Sequence, residues 1–162
     1  MQRRLLLASV GALLTAGCQP EGKVLQVSAP ANAPPPRKIE RVLIWLPPET
    51  GLASAKLGDA FVAAFVSQGV PARVGRGTAL ELNRGDDQAA LMNELKATHR
   101  VEVEVASYRQ VGGNFAQWTL VVGVYAGTSR TPLMALRYQP SGYSDYALAG
   151  MVVQKLVERG YL

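Results

Sequence analysis

The sequence has few of the residues that usually carry catalysis or hold metals. Cys18 is the only cysteine and His99 the only histidine. A zinc site needs clustered cysteine, histidine or carboxylate ligands, and a serine hydrolase needs a histidine base beside its nucleophile. No Gly-x-Ser-x-Gly segment surrounds a serine. The composition therefore predicts a protein that is not an enzyme and uses no metal or cofactor, and it indicates that His99 is a solvated loop residue.

The sequence also has no strong excess of either positive or negative charge. Lysine and arginine number 17 against 12 acidic residues, which gives a formal net charge of +5. Loss of Arg3 and Arg4 with an N-terminal leader would lower this value to about +3. Nucleic-acid binding usually needs a strongly basic patch. We therefore expect no nucleic-acid partner.

No apolar run is long enough to cross a membrane as a helix. The N-terminal run over residues 5–16 covers roughly 18 Å as a helix, whereas a hydrocarbon core is about 30 Å thick. Arg3 and Arg4 precede this run, and the small residues Ala16 and Gly17 stand directly before Cys18. This arrangement is typical of an exported protein's signal peptide. We predict a signal peptide over residues 1–17.

The residues before Cys18 resemble the lipobox of bacterial lipoproteins, usually Leu, then Ala or Ser, then Gly or Ala, then Cys. Here Thr15 occupies the position where Leu is commonest. The resemblance implies that Cys18 receives a diacylglycerol, which anchors the chain to a membrane through its N-terminus. In this family an Asp directly after the cysteine favours retention in the inner membrane. Gln19 occupies that position here, so we expect an outer-membrane location facing the periplasm. The alternative is an ordinary secretory peptide followed by a buried thiol.

The segment from residue 18 to residue 38 is rich in proline. It contains half of the ten prolines of the chain: Pro20, Pro30, Pro34, Pro35 and Pro36. Such segments favour extended polyproline II structure and bury little apolar surface. We predict a lipidated cysteine followed by a flexible tether over residues 18–38, and a single periplasmic domain over residues 39–162.

The first half of this domain alternates between strand and helix patterns. Residues 42–46 form a continuous apolar run, which predicts a strand buried on both faces. Apolar residues spaced by four predict a helix over residues 53–68, and residues 71–74 predict a short second strand. A second helix follows, and Asp86 is its predicted N-cap.

The second half changes to a period of two. Apolar residues alternate with polar ones from Val101, and glycine-containing turns separate three such runs before a final helix over residues 144–159. We predict a mixed α/β fold with one five-stranded sheet in the order β-α-β-α-β-β-β-α. Strands separated by a helix should be parallel, and the last three should form an antiparallel meander. The helices are expected mainly on one face.

Polar side chains of the meander form a candidate surface for partner binding. The alternation places six of them on the face that we expect to be solvated: Glu102, Glu104, Gln117, Thr119, Tyr125 and Arg137. An alternative role for Arg137 is structural, as a cross-strand neighbour of the two glutamates.

The element order and the segment Leu57-Gly58-Asp59-Ala60 resemble a group of periplasmic lipoprotein domains. This group includes the curli secretion lipoprotein, the N-terminal domain of TolB and the lipoprotein activators of penicillin-binding proteins. The resemblance covers roughly residues 40–160 and implies a non-catalytic domain that docks to an envelope protein. The oligomeric state stays open.

A second hypothesis is the accessory lipoprotein of an ABC-type lipid transport system, which also joins a lipobox to a small α/β domain. That family usually has a Tyr-Leu-Asp-Arg-like segment after its first strand, whereas Pro47-Pro48-Glu49-Thr50 stands here.

Overall fold

The computed structural model of the chain describes residues 22–30, 37–46, 55–77, 84–111, 115–140 and 145–162. The predicted signal peptide, Cys18 and parts of the predicted tether lie outside these ranges. The side chain of Gln117 also lies outside what is described, although its backbone belongs to a strand.

The described residues form one mixed sheet of six strands with three helices. The strands lie side by side in the order β1-β6-β5-β4-β2-β3. In chain order the elements are β1 (Gly22–Ser28), β2 (Val42–Leu46), α1 (Ala55–Val66), β3 (Ala72–Arg76), α2 (Arg84–Leu95), β4 (His99–Val111), β5 (Phe115–Ala126), β6 (Met134–Pro140) and α3 (Asp145–Glu158).

The order from β2 to α3 confirms the predicted β-α-β-α-β-β-β-α arrangement. β2 runs parallel to both β3 and β4, while β4, β5 and β6 form the antiparallel meander. All five residues of β2 are buried. Its continuous apolar run suits a strand with neighbours on both edges and packed layers on both faces.

The number of strands differs from the prediction, because β1 adds a sixth strand from within the segment expected to be a flexible tether. β1 pairs antiparallel with β6, so that Val24 lies opposite Tyr138 and Val27 opposite Leu136. Both valines contact the main core. An irregularity in the register between Val24 and Gln26 leaves Leu25 exposed. This part of the predicted tether therefore belongs to the sheet.

The main core fills one face of the sheet, which we call the first face. Val42, Ile44 and Leu46 point to this side and pack against the apolar stripes of α1 and α3. The two helices also pack against each other. Apolar residues at helical spacing, such as Phe61 and Phe65, account for this burial.

The opposite side, which we call the second face, carries α2. Leu43 and Trp45 point to this side and form a smaller apolar cluster with Met92 of α2. The expectation of helices mainly on one face thus holds for α1 and α3, while α2 lies on the other face. α2 begins at Arg84, so Asp86 lies in the first turn of the helix and is not its cap.

None of the helices within the described ranges has the length and apolar character needed to cross a membrane.

Candidate functional site

The register of the meander brings the predicted partner-binding residues to one side of the sheet. Directly opposed residues on neighbouring strands share a face. Glu104 lies opposite Val121, and Val121 lies opposite Arg137 on the next strand. Glu102 lies opposite Gly123, two residues from Tyr125. These residues all belong to the second face, beside α2, and we call the β4–β6 part of that face the meander face.

The expectation that all six residues are solvated is wrong in part. Glu104 and Arg137 are exposed and Tyr125 is half-buried. Glu102 and Thr119, however, are buried, with exposed fractions of 8% and 9%. β5 also separates Arg137 from Glu102 and Glu104, so Arg137 is not their direct cross-strand neighbour. Alternation assigned these residues to the correct side of the sheet but did not show which part of that side is covered.

A buried ion pair between Arg100 and Glu102 lies at the edge of the meander face. The Arg100 Nε donates to the Glu102 Oε1 at 2.5 Å, and the two side chains expose only 8% and 11% of their surface. The Arg100 guanidinium also donates to the backbone oxygens of Gly127 at 2.6 Å and Ser129 at 2.8 Å. One guanidinium therefore joins β4 to the loop between β5 and β6.

The ring of Tyr125 lies against the guanidinium of this ion pair. The Arg100 Cζ lies 4.3 Å from the centre of the Tyr125 ring, within the range of a cation–π contact. Gly123 makes this ring position possible, because a Cβ at residue 123 would lie only 2.6 Å from the ring carbon Cε2 of Tyr125. The sequence analysis identified Glu102 and Tyr125 but missed Arg100. An arginine two residues before a glutamate in a strand, hence on the same side, is the signal that could have found it.

His99 does not occupy the solvated loop position predicted for it. It is the first residue of β4 and exposes only 3% of its surface. Its Nδ1 lies 3.0 Å from the hydroxyl oxygen of Thr98. Burial lowers the pKa of His99 below its usual value of 6.5, while the negative charge of Glu40 acts in the opposite direction. The neutral form of the imidazole therefore predominates at pH 7.

The buried ion pair of this region holds two parts of the structure together. Arg100 is fixed by a carboxylate, two backbone oxygens and an aromatic ring. Within the described ranges, no group of three or more histidine, cysteine, aspartate or glutamate residues is arranged to hold a metal ion. The exposed side chains of Glu104 and Arg137 make the rest of the meander face polar.

Comparisons with known proteins identify the fold. No family model matches the chain, and no curated protein matches its sequence. Two solved structures of PelC from Paraburkholderia phytofirmans, one of them a single-residue variant, are similar in structure and are described as dodecamers. Their identities to this chain are 14% and 12%, with TM-scores of 0.50 and 0.51. In both cases the match covers 85% of this chain and 96% of the PelC chain. The protein is therefore a mixed α/β domain similar in fold to PelC.

Proposed function

We propose that the chain is a non-catalytic assembly module of the bacterial envelope, attached to the outer membrane by a lipid on Cys18 and facing the periplasm. The observation that supports this most is the fold, since PelC chains of similar fold are described as dodecamers. Assembly from copies of one domain requires surfaces for association and no reactive groups. We propose the same mode of action here, together with an envelope protein as a further partner.

The edges of the sheet are suitable surfaces for association between copies. β1 and β3 are the outermost strands of the described sheet. An edge strand presents backbone N–H and C=O groups that can pair with another chain. β1 also exposes 44% of Leu25, an apolar residue at the irregular point of the strand. We propose that copies of the chain meet along these edges.

The meander face is the surface that we propose for the envelope protein. Its exposed members Glu104 and Arg137 carry opposite charges and lie on either side of the half-buried Val121. α2 packs against β2 and β3 of the same side, so it leaves these residues accessible. A surface of this kind offers a partner both charge pairing and apolar contact.

In-cell photo-crosslinking tests this assignment. A photoreactive residue placed at Glu104 should form an adduct that mass spectrometry identifies as an envelope protein other than this chain. Val157, an exposed apolar residue of α3 on the opposite side of the sheet, is the matched control position and should give no such adduct. The proposal fails if Glu104 gives no adduct with another protein or if Val157 gives the same one.

A further inference from the structure

The hairpin formed by β4 and β5 reaches beyond the other strands of the described sheet. β4 and β5 stay paired to the last residue of β4 and the first of β5. β6 pairs with β5 as far as Tyr138 opposite Leu120 and ends two residues later, at Pro140. The hairpin strands therefore extend about 10 Å past β6, through residues 109–111 and 115–117. We call these two short segments the hairpin end.

β1 brings the predicted lipid-bearing residue to the same end of the sheet. Gly22, the first residue of β1, lies opposite Pro140, the last residue of β6. Cys18 stands only a few residues before Gly22, so a fully extended chain between them spans at most about 14 Å. This distance is similar to the length by which the hairpin end protrudes. A membrane that holds a lipid on Cys18 would therefore lie close to the hairpin end.

The charge of the hairpin suits a surface of lipid phosphates. Between Val105 and Leu120 the sequence contains no aspartate or glutamate, and Arg109 is the only charged residue. Arg109 and its neighbour Gln110 are exposed. An arginine can donate hydrogen bonds to phosphate oxygens and is attracted to anionic lipids. No carboxylate of the hairpin opposes this attraction.

The residue types of the hairpin also suit the boundary between headgroups and acyl chains. Val111 and Phe115 lie opposite each other at the last paired position of β4 and β5. Tyr108 lies opposite Trp118 a few positions back. Tyrosine and tryptophan are enriched at membrane interfaces, and phenylalanine is common on the apolar side of interfacial segments. The hairpin thus combines one basic residue with a series of aromatic residues.

We propose that the hairpin end lies on the membrane that holds the lipid of Cys18, with Arg109 at the lipid phosphates and the pair Val111 and Phe115 at the headgroup boundary. This proposal rests on the proposed anchoring through Cys18 and adds a second point of contact. Two contacts at one end of the sheet fix the orientation of the domain, so the loop between β5 and β6, at the opposite end, faces away from the membrane.

Fluorescence quenching in vesicles tests this orientation. The lipidated chain is reconstituted into vesicles of phosphatidylethanolamine and phosphatidylglycerol that contain a lipid with a nitroxide on its headgroup. Gln110→Cys carries a thiol-reactive fluorophore at the hairpin end, and Ser67→Cys carries it at an exposed position after α1, at the opposite end of the sheet. The label at residue 110 should be quenched at least about twofold more than the label at residue 67. Equal quenching at the two positions would overturn the proposal.

A charge reversal tests the role of Arg109. Arg109→Glu should reduce the quenching of the label at residue 110 by about half or more, because anionic lipid repels the new carboxylate. Arg130→Glu makes the same change at an exposed position in the loop between β5 and β6 and should leave the quenching unchanged. Equal quenching in the two charge variants would count against the proposed contact.

The parent chain distinguishes a failure of the anchor from a failure of the hairpin contact. Cys18 is the only cysteine of the sequence, so a parent chain with an acylated Cys18 should take up no fluorophore. A parent chain labelled at Cys18 would lack the lipid, which would overturn the anchor and the orientation derived from it. An unlabelled parent chain together with equal quenching at residues 67 and 110 would overturn the hairpin contact alone.

Discussion

At the scale of single residues, Arg100 and Glu102 depend on each other. Both are buried, and a buried charge that loses its partner is strongly destabilising. Glu102→Leu should lower the free energy of unfolding by about 3 kcal/mol, because the guanidinium stays buried without its carboxylate. Arg100→Met combined with Glu102→Leu should recover most of that loss. Urea unfolding at neutral pH measures both values.

The double variant distinguishes a mutually dependent pair from two independent contributions. Recovery is expected because an apolar pair of similar volume often replaces a buried ion pair at little cost. If the double variant is less stable than Glu102→Leu alone, the pair itself is not the source of the effect. In that case the bonds from Arg100 to Gly127 and Ser129 matter more.

His99 makes the stability of the domain depend on pH. Its pKa is lowered in the folded state, so below about pH 6.5 the unfolded chain binds a proton that the folded chain does not. The contribution of this residue to stability is therefore complete above pH 6.5 and is lost as the pH falls from there toward the lowered pKa. The parent chain should lose more stability between pH 7.5 and pH 5.5 than His99→Gln.

Urea midpoints at the two pH values measure this difference. The negative charge of Glu40 opposes the lowering of the His99 pKa, so Glu40→Gln should make the pH dependence of the parent chain steeper. An equal loss of stability in the parent chain and in His99→Gln would show that protonation of His99 is not linked to folding.

At the scale of elements, the contact between α2 and the sheet depends on the absence of a side chain at Gly75. A Cβ at this position of β3 would lie 2.9 Å from Trp45 and 3.0 Å from Leu91 of α2. Gly75→Val should therefore destabilise the domain by about 1–3 kcal/mol through overpacking. Gly150 of α3 is the matched control, because a Cβ there has no neighbour within 4 Å.

Gly150→Ala should stabilise the domain by about 0.5–1 kcal/mol, since alanine favours the helix more than glycine does. Thermal or urea unfolding of the two variants should thus move in opposite directions. If both variants were stabilised, the close packing of α2 against Gly75 would be wrong. If both were destabilised, the open space around Gly150 of α3 would be wrong.

The elements that the sequence predicts well are those with a strong local pattern. The apolar run of β2, the helical stripe of α1 and the alternation of the meander are each visible in a few residues. β1 was not predicted, because prolines flank it and its pairing with β6 depends on residues more than a hundred positions away. The burial of Glu102 was not predicted for a similar reason. Alternation shows to which side of a strand a side chain points, but not what packs against that side.

Some residues of the candidate site can be predicted from the sequence, and others cannot. Glu104, Tyr125 and Arg137 follow from the period of the strands, and they lie on one side of the sheet as expected. Arg100 bonds to Gly127 and Ser129, which are distant from it in sequence, so only the folded chain shows this contact. A contact between a strand and a distant loop leaves no local pattern in the sequence.

At the scale of the whole molecule, the proposed role depends on two separate features of the chain. The predicted lipid on Cys18 would hold the domain at a membrane, and the edges of the sheet would let copies associate. Confinement to a membrane raises the effective concentration of the copies, so association there needs less affinity than in free solution. Anchoring and assembly would thus reinforce each other.

Native mass spectrometry of the protein extracted from membranes tests this account most directly, because one spectrum gives both the subunit mass and the number of copies. We predict a complex of several copies in which each subunit begins at Cys18 and carries the mass of a diacylglycerol and any further acyl chain. A single copy with an unmodified Cys18 thiol would contradict the account.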